Sequence, residues 1–129
     1  MRKELTVFEK MIIKEALLGD KPWLLAMREQ VPFLSVNDRT YTGVGFYTDI
    51  NCDVMANPVD IPRNPDNGMP IDGYPPTVQA QKKGIRDSMV TFIVWLDENG
   101  RISLLEGCSL TDDTWPTRMD GAFENFSKG

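Results

Sequence analysis

Apolar residues recur at helical spacing over the first third of the chain and at alternate positions after it, with the change of period near Ser35. In the helical part, Phe8, Met11, Ile12, Leu17 and Leu18 form one stripe. Thr6-Val7-Phe8-Glu9 has the capping-box form, a hydroxyl to cap the helix start and a carboxylate three residues later to bond back. Gly19 supplies a stop, Asp20 a second start with Pro22 in its first turn, and Pro32 an end. Trp23, Leu24, Met27 and Val31 share a face of this second helix. The spacing predicts a helical hairpin whose apolar faces need a layer to cover.

From Val36 the alternation sets Thr42, Val44, Phe46, Thr48 and Ile50 on one face and Tyr41, Gly43, Gly45, Tyr47 and Asp49 on the other. This reads as one long strand reaching about Val54, its apolar face taking the helices. The glycine face is then a shallow groove between Tyr41 and Tyr47. Residues 57–76 hold six of the nine prolines and read as a long loop, disordered or packed on the surface, or else a lid or part of a contact surface. Thr77 to Gln81 suggests a short strand. Val90 to Leu96, apolar on both faces, reads as a central strand returning through Asp97-Glu98-Asn99-Gly100 into Arg101 to Leu110. The last segment is irregular, with Phe123 and Phe126 anchoring it to the core. The expected fold is a single α+β domain over residues 1–129, an N-terminal helical hairpin packed on an antiparallel sheet of about four strands.

Composition narrows the chemistry. The 129 residues contain no histidine, which removes His-activated nucleophiles, imidazole acid–base catalysis and His-containing zinc sites. No cofactor or metal signature is present in the sequence. Nineteen acidic against fourteen basic residues give a net charge of −5, contrary to the clustered cations that nucleic-acid binding requires. Such a surface suits a basic protein partner. The longest apolar run, Met89 to Leu96, is too short for a membrane span. Met1-Arg2-Lys3-Glu4 leads straight into an amphipathic segment, so a cytoplasmic location is expected. Cys52 and Cys108 are then expected as reduced thiols that need no bridge.

Several stretches, LTVFEK, LLGDKPWLLAMREQ, TGVGFYT and DENGRISLLEGCSLTDDTWP, together resemble a family of small uncharacterised bacterial proteins. The resemblance rests on Thr42 to Phe46, Leu105 to Gly107 and Trp115-Pro116 and leaves out the proline loop. It implies an α+β domain and transfers no activity. By analogy, some small acidic bacterial proteins accompany toxins as immunity partners.

Two sites stand out. Glu106 follows Leu104-Leu105 and precedes Gly107, the setting of a perturbed carboxylate or of one paired with Arg39 or Arg118. Asp112-Asp113-Thr114-Trp115-Pro116 places acids beside an aromatic, either a contact for a basic partner or an edge of the core. The sequence therefore favours a non-enzymatic acidic binding domain, of the immunity type, whose contacts are Tyr41, Tyr47, Asp112, Asp113 and Trp115. A small enzyme using Glu106 with Asp49 or Asp112 is the alternative. A homodimer or larger oligomer joined through sheet edges is the third reading.

Overall fold

Thr6 caps the first helix as the sequence predicts: its hydroxyl accepts the Glu9 N–H, and Glu9 accepts the Thr6 N–H at 2.8 Å. In the computed structural model, which describes residues 3–71, 73–111 and 114–128, helix α1 spans Val7–Ala16 and α2 spans Pro22–Gln30. Asp20 does not cap α2. Its cap position is Lys21, with no side-chain bond, and Pro22 serves as first residue because its missing N–H would have had no helical partner there. A 3-10 turn, Val31–Phe33, leads into the strands.

Six strands follow: β1 Leu34–Tyr41, β2 Gly45–Cys52, β3 Thr77–Lys82, β4 Val90–Leu96, β5 Ile102–Ser109 and β6 Phe123–Lys128. They form one open antiparallel sheet in the order β1-β2-β5-β4-β3-β6. The architecture is α+β, two helices on one face of that sheet. The sheet is larger than expected at two places. The run read as one long strand is a hairpin, and the irregular C-terminal segment is β6.

The hairpin turns at Gly43-Val44. Tyr41 pairs with Phe46, and the Thr42 N–H bonds the Gly45 carbonyl at 3.0 Å. Gly43, at φ 89°, takes the first of two loop positions, where a left-handed backbone lets a two-residue turn match the twist of its strands. Val44 therefore stands at an exposed tip, while Phe46 and Ile50 are buried. Gly45 has a different reason. A Cβ there would lie 2.1 Å from the Gly107 carbonyl oxygen on β5, and one at Gly107 would lie 2.3 Å from the Phe46 ring. The bare positions let two strands and one buried ring share the same space. Gly45→Ala should cost about 1–3 kcal/mol, since backbone rather than a flexible side chain must yield. A shift of the denaturant midpoint checks this, and an unchanged midpoint would contradict it.

The core lies between the helices and the sheet. Phe8 of α1 meets Phe92 and Phe123, each with ring centroids 5.7 Å away. Ile12, Ile13, Leu17, Met27, Val36, Val78 and Leu105 complete the buried layer. Met11 and Leu18, read as part of the inner stripe, are instead half-exposed, Met11 on the outer side of α1 and Leu18 just past its end. Phe123 and Phe126 do anchor the C-terminus to the core, yet in a strand. Their i, i+3 spacing comes from a bulge at Asn125, φ 58°, which turns both rings to the same face.

The described residues of the proline-rich loop, 57–71 and 73–76, run irregularly, with a few bonds of their own and to the body. Arg63 bridges Pro70, the Asn64 N–H bonds the Met69 carbonyl at 2.8 Å, and Val59 is buried under the β4–β5 turn with its N–H on the Gly100 carbonyl. Buried Gln30 pins this segment to the body. Its amide donates to the Asn57 and Gly100 carbonyls at 2.8 and 2.9 Å and accepts the Ile102 N–H at 2.9 Å. Among the described residues no helix is long and apolar enough to cross a membrane.

Candidate functional site

Register decides which side chains share the uncovered face of the sheet, because cross-strand partners point the same way and neighbours along a strand alternate. One row reads Asp38, Asp49, Leu104, Trp95. The next reads Thr40, Tyr47, Glu106, Ile93, Thr77. Cys108, Thr91, Gln79 and Ser127 form a third. The opposite rows run Tyr41, Phe46, Gly107, Phe92, Val78 and Arg39, Thr48, Leu105, Val94, and they face the helices. The open face therefore has an apolar middle of Tyr47, Leu104, Ile93 and Trp95.

Charge is sorted between the two faces. Among the described strand residues, those with charge on the open face are all carboxylates: Asp38, Asp49, Glu106 and Glu124. The three strand cations turn the other way. Arg39 reaches Glu9, Lys82 reaches the Thr114 carbonyl, and Lys128 reaches the Leu18 carbonyl.

Tyr41 and Tyr47 lie on opposite faces, so the groove expected between them does not exist. The two-residue turn shifts the alternation, pairing Tyr41 with Phe46 and Tyr47 with Thr40. Tyr47 is 41% exposed at the centre of the open face. Tyr41 instead lines a small apolar concavity of about 300 Å³ with Gly43, Gly45, Trp115, Pro116 and Thr117 at the hairpin tip. Trp115 itself is only 7% exposed and belongs to the core. Its ring centroid stands 5.2 Å from that of Phe123, 5.7 Å from Phe46 and 5.8 Å from Phe92, and its backbone N–H bonds the Gly43 carbonyl. Its indole N–H is buried without a hydrogen-bond partner among the described residues. Asp112 and Asp113 lie outside the described residues.

Glu106, half-buried on the open face, accepts the Trp95 indole N–H at 3.1 Å. Arg39, one of the two arginines expected as its partner, goes to Glu9. That glutamate is fully buried, accepting Arg39 Nη2 at 2.7 Å, Arg39 Nε at 3.0 Å and the Thr48 hydroxyl at 2.6 Å besides the Thr6 N–H. Burial alone pushes its carboxyl up, but the bonds from Arg39, Thr48 and Thr6 outweigh that and hold it below the usual carboxylate range. With every oxygen engaged, Glu9 ties α1 to β1 and β2 and has no lone pair aimed at solvent. Cys52 and Cys108 are free thiols, and burial raises both above the ordinary thiol value. Among the described residues no group of three Cys, Asp or Glu side chains is arranged to hold a metal ion.

Alternation along β2 had already put Tyr47 and Asp49 on one face, but Asp38, Leu104, Ile93 and Trp95 were missed as members of the open-face set, because strand pairing alone brings them beside these two. No protein-family model, curated protein or solved structure matches the chain.

Proposed function

We propose that the chain is a non-enzymatic acidic binding domain that receives a basic protein on the open face of its sheet, an inhibitor of the immunity type. The observation that carries this reading is the sorting of strand charge: Asp38, Asp49 and Glu124 toward the two borders of the open face, Glu106 within its apolar middle, and Arg39, Lys82 and Lys128 withdrawn to the helical side. Acids around aromatics fit the division of labour in protein recognition, where rim charge steers encounter and buried aromatic area holds the complex. Strands about 4.8 Å apart and about 3.3 Å per residue give the face a footprint of roughly 500 Å², suited to a small, fast-exchanging interface.

The test compares two variants with the same change of net charge. Asp38→Lys with Asp49→Lys reverses the open face. Asp20→Lys with Glu29→Lys reverses exposed acids of the helical layer. Immobilised wild type and both variants are exposed to extract of the source cells, and retained basic proteins are identified by mass spectrometry. A specific basic protein should stay on wild type and on the helical variant and be lost from the open-face variant. Equal retention by all three, or equal loss from both variants, would overturn the assignment of the face.

A further inference from the structure

The helical layer presents the counterpart of the open sheet face. Val7 and Met11 are exposed on one stripe of α1 at 83% and 39%, and Leu18, two residues past the end of that helix, is exposed beside them at 48%. Lys10, Lys14 and Glu15 join them around a shallow concavity of about 430 Å³. Lys10 and Lys14 also border the adjoining cleft between the helices, together with Arg28, whose guanidinium rests on the Leu17 carbonyl at 2.6 Å. Beyond it the same side carries Lys21 and Lys128, and Lys128 is held below its ordinary value first by burial and then by Arg28 and Lys21. An apolar stripe flanked by Lys10 and Lys14, with Glu15 in the same concavity and Glu4 in the adjoining cleft, thus stands on the side of the molecule away from the open-face carboxylates.

We infer that the α1 stripe, Val7, Lys10, Met11, Lys14 and Leu18, docks on the open sheet face of a second copy of this chain, so that copies assemble head to tail. The inference rests on the reading of that face as a binding surface. Charge complementarity selects the occupant. Lys10 and Lys14 would meet Asp38 and Asp49, while Val7 and Met11 cover Tyr47 and Leu104. A repulsive net charge of −5 opposes indiscriminate clustering of copies, so the contact forms only where the two unlike faces meet. The interface joins two different surfaces and leaves one of each free on every pair, so growth continues with concentration instead of stopping at a dimer. A basic partner and a second copy then compete for one face.

Sedimentation velocity of the full chain from micromolar to millimolar concentration tests this. Average mass should rise with concentration at low salt and fall back toward the monomer at about 1 M salt, where charges are screened beyond about 3 Å. Lys10→Glu with Lys14→Glu, and separately Asp38→Lys with Asp49→Lys, should each weaken assembly at least about tenfold. Mixing the two variants should restore a complex, since each keeps or mirrors one charge of the pair. All these side chains are exposed, and far-UV dichroism confirms that the variants fold. A wild type that stays monomeric overturns self-assembly while leaving the capture of a basic protein untouched. Assembly that survives the Lys10/Lys14 change removes the stripe, and assembly that survives only the Asp38/Asp49 change removes the sheet face as its occupant.

Discussion

Trp115→Ala should lower stability by about 3–5 kcal/mol and leave capture by the surviving folded protein unchanged. The ring is in edge or tilted contact with Phe46, Phe92 and Phe123, a cluster too well packed to collapse into the space left behind. The backbone N–H at position 115, which bonds the Gly43 carbonyl at the β1–β2 hairpin tip, is kept in the alanine variant, so the loss is one of packing alone. Trp115→Phe is the informative companion. It keeps much of the packing and removes an indole N–H that is buried without a partner among the described residues, a burden of about 1–3 kcal/mol. The Phe variant should therefore lose far less than the Ala variant. Chemical denaturation of both, with capture measured beside it, checks the prediction. A Trp115→Ala protein of full stability that no longer binds would return Trp115 to the contact surface.

Glu9→Gln should destabilise the protein by about 3 kcal/mol or more at neutral pH, because it leaves Arg39 without its charge partner at the inner edge of the sheet. The pH dependence has a definite sign. Glu9 is held below its ordinary value in the folded protein, so its stabilisation is fully present above the unfolded carboxylate range and is lost as pH falls through the folded value. Wild type and Glu9→Gln should therefore converge in stability as pH is lowered from about 5. Urea denaturation of both proteins across this range measures the gap. A gap that is constant with pH would mean that the carboxylate charge contributes nothing.

Local signals were legible where they depend on neighbours along the chain. The Thr6–Glu9 capping box, the two helices and the β4–β5 hairpin all follow from residues within a few positions of one another. The Thr42–Phe46 segment misled because a Gly-Val turn keeps an alternating look while the chain reverses. A strand continued through it put Tyr41 and Tyr47 together, whereas the actual register pairs Tyr41 with Phe46. The signal that could have corrected it is Gly43, whose positive φ begins a two-residue hairpin loop. Phe123 and Phe126 were legible as anchors to the core, but their i, i+3 spacing hid β6, since the bulge at Asn125 breaks the strand's alternation. Glu9 could be read as a cap but not as an ion-pair partner, because Arg39 lies 30 residues away and meets it only after β1 packs. The acidic face required five strand pairings before its members could be neighbours.

The ends of the sheet bear on how this chain avoids fibrous aggregation. An exposed outer strand offers a ladder of unpaired amides on which any other strand can build, and a sheet with two such borders can grow without limit. Here one border is partly occupied by its own chain, since Lys3 and Val36 exchange both backbone bonds at 3.2 and 2.7 Å alongside β1. The other is bent out of line by Asn125, whose left-handed backbone interrupts the ladder midway along a six-residue strand. Neither border presents a long, straight template. Misdirected strand addition is thereby discouraged, and the broad surface of the sheet stays free for reversible recognition.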